Sequence, residues 1–375
     1  MEKRKPPTDP VDADAFMRRH WQRAPLLVRG GFPRFEDPLD PAQVMALAAS
    51  DDAQARLVQH RRGRWSLEHG PFPASRFRQL PRRDWTVLVQ DTNHFSARAE
   101  ALLARFAFIP HARIDDVMVS YAVPGGGVGP HVDSYDVFLL QGRGRRRWRI
   151  SRQRDHTFVP DLPLKILERF EPEDEWVLEA GDMLYLPPGV AHEGVALTEC
   201  LTWSIGFRAP SDAQIAEGFL DHLRDTLHLE GHYGDRGAQA AAHAGEIPPR
   251  LVRHVARTVR RIRWTDADVR AYAGRLLSEP KPHVYFSPPA RALSEAAFAR
   301  ACERSGLVLD PRSRLLFSGT RFFLNGDAVE APAQARPLLR RLADARRLPP
   351  PLRAARPFMQ IAYEAYLRGY MAPGG

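Results

Sequence analysis

Cysteine is nearly absent from this chain. Cys200 and Cys302 are the only two, too few for a disulfide framework or a thiolate metal site, so a reducing, cytoplasmic setting is the default. No run of about 18 apolar residues occurs, and no membrane span is expected. The opening MEKRKPPTDPVDAD lacks the apolar core of a secretory signal and carries acids that transit peptides avoid. Charge of one sign is not dominant either. Lys and Arg number 54 against 45 Asp and Glu, a formal net charge of +9. That excess suits a polyanionic neighbour such as nucleic acid or the ribosome, and equally an arginine-rich solvated surface. The residue in surplus is proline, 33 of 375. The prolines are scattered, so they mark many loops rather than one disordered tract. This length leaves room for two or three domains.

Residues 1–14 read as a disordered leader. Phe16 to Trp21 reads as a helix, and Pro25-Leu-Leu-Val-Arg-Gly as a strand meeting a turn. Asp40 before Pro41 is a helix start, with an acceptor at the N-cap and proline at N1. Ser96 to Phe106 predicts a second amphipathic helix. From Val117 to Phe207 short alternating runs (VMVSYAV, DVFLLQ, RRRWRI, EWVLEA, DMLYLP, CLTWSIGF) are separated by Gly, Pro and Asp, which predicts an antiparallel sandwich or barrel. From Asp212 to about Tyr272 the apolar spacing is helical, as in Ile215, Phe219, Leu223 and Leu227. Pro280-Lys-Pro is a linker. Beyond it come a helix from Ser294, two short strands near Arg314–Phe317 and Thr320–Leu324, a hairpin turn at Asn325-Gly326, and helices near Ala335 and Pro357. A small helical domain with a β-wing fits that order. No internal repeat is present.

His131-Val-Asp133 is the central motif. On a strand, residues i and i+2 point to one face about 7 Å apart, so an imidazole and a carboxylate can converge on one ion. Alone the motif is weak. Here it follows Pro124-Gly-Gly-Gly-Val-Gly-Pro130, which lets the chain bend sharply and leaves space beside the pair. The third candidate is His192, after the Pro-Gly bend of Pro187-Pro-Gly-Val-Ala-His192. Two imidazoles and one carboxylate make a facial triad with open positions, the set used by non-haem iron(II) oxygenases. A closed structural zinc site would want four ligands, usually with sulfur. In Arg145-Arg-Arg-Trp-Arg-Ile150 the alternation puts Arg146, Trp148 and Ile150 on one face and Arg145, Arg147 and Arg149 on the other. The face with Trp and Ile should be buried, so Arg146 needs an anion. That anion is either the distal carboxylate of a metal-chelating dicarboxylate or a local acid such as Asp136 or Asp182.

The stretch from Pro124 to Trp148, with Trp21-Gln-Arg-Ala-Pro-Leu-Leu-Val-Arg near the start, resembles the JmjC-type cupin ribosomal oxygenases, in particular their bacterial branch. The general cupin pattern has His-x-His and a later Asn. Asp133 and Ala196 stand there instead, which argues against a three-histidine cupin. The resemblance implies an α+β chain: a double-stranded β-helix (cupin/JmjC) barrel over 15–210, a helical dimerisation segment over 211–278 and a winged-helix-like domain over 279–375. It implies iron(II) held by His131, Asp133 and His192, and 2-oxoglutarate bound through Arg146. The expected activity is β-hydroxylation of an arginine in large-subunit ribosomal protein number sixteen, by a homodimer with no membrane partner. For the cationic substrate side chain the candidate carboxylates are Asp115, Asp116 and Asp136. Two other readings stay open. One is a winged-helix regulator contacting DNA or RNA, with the barrel as sensor and the basic run Arg253–Arg263 in support. The other is a small-molecule 2-oxoglutarate oxygenase.

Overall fold

The computed structural model describes residues 10–374. Residues 1–9 of the expected leader lie outside them. Its last residues are ordered: the Asp12 carboxylate accepts from the Ala15 N–H and caps helix α1 (Ala13–Arg19).

Twelve strands build the first unit. They are β1 (Leu26–Val28), β2 (Ala55–Arg61), β3 (Arg64–His69), β4 (Trp85–Val89), β5 (Ile114–Ala122), β6 (His131–Val132), β7 (Asp136–Gln141), β8 (Arg146–Ser151), β9 (Asp174–Leu178), β10 (Met183–Leu186), β11 (Ala191–Ala196) and β12 (Cys200–Phe207). They form an eight-stranded sheet, β1-β10-β7-β12-β5-β4-β2-β3, facing a four-stranded sheet, β6-β11-β8-β9. Every pairing is antiparallel. This is the expected double-stranded β-helix, and it extends beyond the expected strand window. The hairpin β2–β3 and strand β4 precede Val117. The hairpin's apolar residues are diluted by Arg56, Arg61 and Arg64, and it turns on Arg62-Gly63, both at positive φ.

Period-2 alternation explains how the large sheet is buried on both faces. Val117, Val119 and Tyr121 of β5, with Phe138 and Leu140 of β7, point outward into the main core. There they meet Phe16, Val44 of α2 (Pro41–Ala48), the region after α3 (Ala74–Arg78), and Leu102 of α4 (Ala97–Leu103). Val137 and Leu139 point the other way, against Trp148, Ile150 and Leu184 between the sheets. Asp116, Met118 and Ser120 share that inner side and line a cavity. Their polarity belongs to the cavity and not to solvent.

Beyond β12 lie α5 (Asp212–Thr226), α6 (Pro249–Val259) and α7 (Asp266–Ser278). The expected continuous helical pattern is interrupted from 227 to 248, where neither helix nor strand forms. The C-terminal unit has its own core around Phe298, Leu339 and Phe358. It contains α8 (Glu295–Ser305), β13 (Leu307–Leu309), the meander β14 (Leu315–Ser318), β15 (Arg321–Leu324) and β16 (Asp327–Val329), then α9 (Arg336–Ala345), β17 (Arg347–Leu348), α10 (Arg356–Leu367) and β18 (Met371–Pro373). Ser294 caps α8 as expected, and Asn325 and Gly326 turn the hairpin at positive φ. No helix among the described residues is long and apolar enough to cross a membrane.

Candidate metal centre

The glycine-rich loop before His131 packs against β11. A Cβ on Gly127 would lie 2.4 Å from the Gly194 carbonyl oxygen, so only glycine fits. The loop delivers His131 to β6, where it sits directly opposite His192 on β11. The Gly189 N–H donates to the Asp133 carbonyl and ties the two motifs together. Ligand atoms of His131, Asp133 and His192 all lie within 4.8 Å of one another. Nδ1 of His131 is 2.9 Å from the Gly129 carbonyl, and Nδ1 of His192 is 3.0 Å from that of Val190. Those carbonyls fix Nδ1 as the protonated nitrogen, which leaves Nε2 of each ring as a free donor pair for a cation. Nε2 of His192 is 3.6 Å from the Asp133 carboxylate. Burial, and then the neighbouring His131, push the His192 pKa down to about 4, so its ring is neutral at physiological pH. Two imidazoles with one carboxylate suit a divalent ion with an open side. No fourth side chain joins the group among the described residues.

The alternation in β8 is as expected. Arg146, Trp148 and Ile150 are buried, while Arg145 is exposed. Arg147 and Arg149 lie on the outer face beside Glu175 and Glu193, which leaves the run no free basic stripe. Arg146 donates through Nη1 to Ser120 Oγ at 3.2 Å. Its Nε and Nη2 are buried with no partner, and its guanidinium lies 5.8 Å from the Trp148 ring centroid. The local acids considered as partners are engaged elsewhere. Asp136 accepts from Tyr185, Gln22 and Arg113, and Asp182 from Arg29 and the Gly30 N–H. Arg146 is thus a buried cation that still lacks its anion. It stands four residues along β8 from Ile150, the residue opposite His192. That is about 13 Å of strand, a span suited to an arginine side chain and a short dicarboxylate together.

These groups line one cavity of about 460 Å³. Asp115 and Asp116 lie at its wall, whereas Asp136 does not line it and is fully buried in its own network. Asp136 is therefore not available to a substrate cation, a correction to the expectation. Sequence reasoning missed Ser120 and Tyr135. Ser120 was detectable as the third polar or sulfur-bearing residue at alternate positions of β5. Tyr135 stands beside Asp133, and burial, then the Asp133 charge, raises its pKa well above the ordinary phenol value.

Residues 101–215 match the model of the JmjC domain, and residues 261–370 that of a ROXA-like winged helix. The chain is 34% identical to the ribosomal protein uL16 3-hydroxylase of Escherichia coli, over 88% of this chain and 87% of that protein. It is 38% identical to a probable ribosomal oxygenase of Haemophilus influenzae, over 56% of this chain and 52% of that one. The solved structure of the Escherichia coli ribosomal oxygenase YcfD in complex with cobalt and 2-oxoglutarate superposes with a TM-score of 0.80 at 32% identity, covering 96% of this chain and 98% of that one.

Proposed function

The chain belongs to the bacterial JmjC-type ribosomal oxygenases, and we propose that it is an iron(II)- and 2-oxoglutarate-dependent hydroxylase of an arginine β-carbon in the large-subunit ribosomal protein uL16. The observation that carries this reading is the pairing of a three-donor cluster with the buried guanidinium of Arg146, whose Nε and Nη2 have no partner, across one cavity. His131, Asp133 and His192 would hold iron(II). Arg146, steadied by Ser120, would take the far carboxylate of 2-oxoglutarate in a charge-assisted pair. When bound, the metal and cosubstrate supply the oxidation of an unactivated C–H bond. The chain supplies position. Trp148, Val137 and Leu139 give the cavity apolar walls that exclude water. Asp116 presents a carboxylate to a cationic side chain.

Domain roles follow as part of the same proposal: catalysis in residues 15–210, dimerisation in 211–278 and a winged-helix-like unit in 279–375. A ribosomal-protein substrate would set the reaction in the cytoplasm. The direct test is succinate release on adding iron(II), 2-oxoglutarate and a uL16 peptide. In cells, uL16 should be lighter by one oxygen when the gene is absent, and an unchanged intact mass would overturn the substrate assignment.

A second reading, a nucleic-acid contact by the C-terminal unit, draws on charge. Seven of the nine excess positive charges fall in residues 279–375. Tight, salt-dependent duplex binding without peptide turnover would favour it.

A further inference from the structure

Asp116 does not stand alone at the cavity wall. Its Oδ2 accepts from the Asp91 N–H at 3.1 Å, and Asp91 and Asp115 lie beside it. One ammonium serves all three carboxylates. Nζ of Lys281 is 3.0 Å from Asp91, 3.3 Å from Asp115 and 3.5 Å from Asp116. Lys281 comes from neither the barrel nor a regular element. It lies in Pro280-Lys281-Pro282, the connection from α7 to α8. A residue before proline is confined to extended backbone, so the lysine is held in place by its own neighbours.

We infer that Lys281 is a positioning residue for the substrate side chain: the linker of the C-terminal unit reaches into the barrel and holds Asp116 as the cavity's anionic contact. The inference rests on the proposed arginine substrate. Burial first, then the charges of Asp91 and Asp115, push the Asp116 pKa up to about 6, and Lys281 acts against them. Burial disfavours the Lys281 ammonium, but the three acids outweigh it and keep it charged. The remaining groups around the cluster are already matched. Arg208 pairs with Asp115, His283 with Asp91, and Arg314 donates to the backbone carbonyls of Ile114 and Asp115. His94 faces Asp91 and is kept neutral by burial. Tyr135, across the cavity, is a neutral phenol whose own pKa feels Asp116. No other cation is within ion-pair distance of Asp116 among the described residues.

Removal of an opposite charge at this range raises a carboxylate by roughly 1–3 units. At neutral pH Asp116 would then take up a proton and lose its attraction for a guanidinium. For Lys281→Met we expect the acidic limb of kcat/KM for a uL16 arginine peptide to move up by about two units. At pH 7 this lowers kcat/KM about tenfold through KM, and the deficit closes above about pH 9. Lys281→Arg should restore the wild-type profile. Peptide-independent consumption of 2-oxoglutarate should be unchanged in both variants, because it reads the metal and cosubstrate site alone. A Lys281→Met profile that overlies wild type would overturn the inference. So would a loss independent of pH that lowers kcat and peptide-independent turnover together, the mark of a merely structural clamp. If Lys281→Met does not fold, Lys281→Gln is judged by the same readouts. If wild type releases no succinate, the functional reading fails by itself. Calorimetric binding of the arginine peptide to wild type and variant across pH still decides the role of the lysine.

Discussion

In the proposed reading individual side chains divide the centre's tasks, which makes them separable by substitution. His131→Ala should abolish metal binding and turnover together, measured by metal content and succinate release. Arg146→Ala should leave metal content intact and raise the 2-oxoglutarate requirement. An unchanged requirement would show that Arg146 does not face the cosubstrate. Gly194→Ala tests the support beneath them. A methyl group there would meet the Trp148 ring at 2.7 Å, and that ring lies between Arg146 and His192. Overpacking of this kind costs about 1–3 kcal/mol, and the expected outcome is a lower Tm with weakened 2-oxoglutarate binding. The clustered residues His131, Asp133 and His192 and the inward turn of Arg146 were legible in sequence because motif spacing and strand alternation encode them locally. Asp136 was misread because its partners Gln22, Arg113 and Tyr185 come from three distant segments. Lys281 was invisible for the same reason: only the fold brings it to Asp116.

Elements were legible where a cap or an alternation announced them. Asp40 and Ser294 start their helices as read, through side chains that satisfy free N–H groups. Strands β2 and β3 escaped notice because arginine and histidine mask their alternation, and β4 because its five residues are buried on both faces and show no alternation. Helix α6 shows the opposite case, an obvious pattern that buries little within the chain. None of its residues is buried, and Val252, Val255 and Val259 are each more than half exposed. They share one face by their spacing, and an isolated helix of 11 residues is marginal in water. A second copy packed on that stripe would explain both facts. Val255→Glu should therefore convert a dimer to a monomer in sedimentation equilibrium, and a wild-type chain that is already monomeric would exclude the idea.

Across the whole molecule, the joint between barrel and C-terminal unit is polar and partly neutral by design of its burial. His94 lies in it, and burial, opposed by Asp91 and reinforced by Lys281 and Arg314, lowers its pKa to about 4 from an ordinary 6.5. A histidine depressed on folding stabilises fully above about pH 6.5, and that contribution is lost as pH falls through about 4. Asp116 has the opposite sign, since a raised carboxyl favours the folded state below its unfolded pKa and loses that benefit as pH rises through about 6. Wild-type stability alone would blend the two. The difference in Tm between His94→Gln and wild type isolates the first, and it should grow in the variant's favour between pH 6.5 and 4 by calorimetry. A constant difference would place His94 outside the joint's titration. The cross-strand rung that sets His131 opposite His192 has a consequence for the molecule as a whole. Backbone hydrogen bonding between β11 and its neighbours brings the two rings together, so an ion would meet a template instead of creating one. Chelation should accordingly strip the activity and leave the fold standing. The apoprotein would be a recoverable reserve, waiting only for metal.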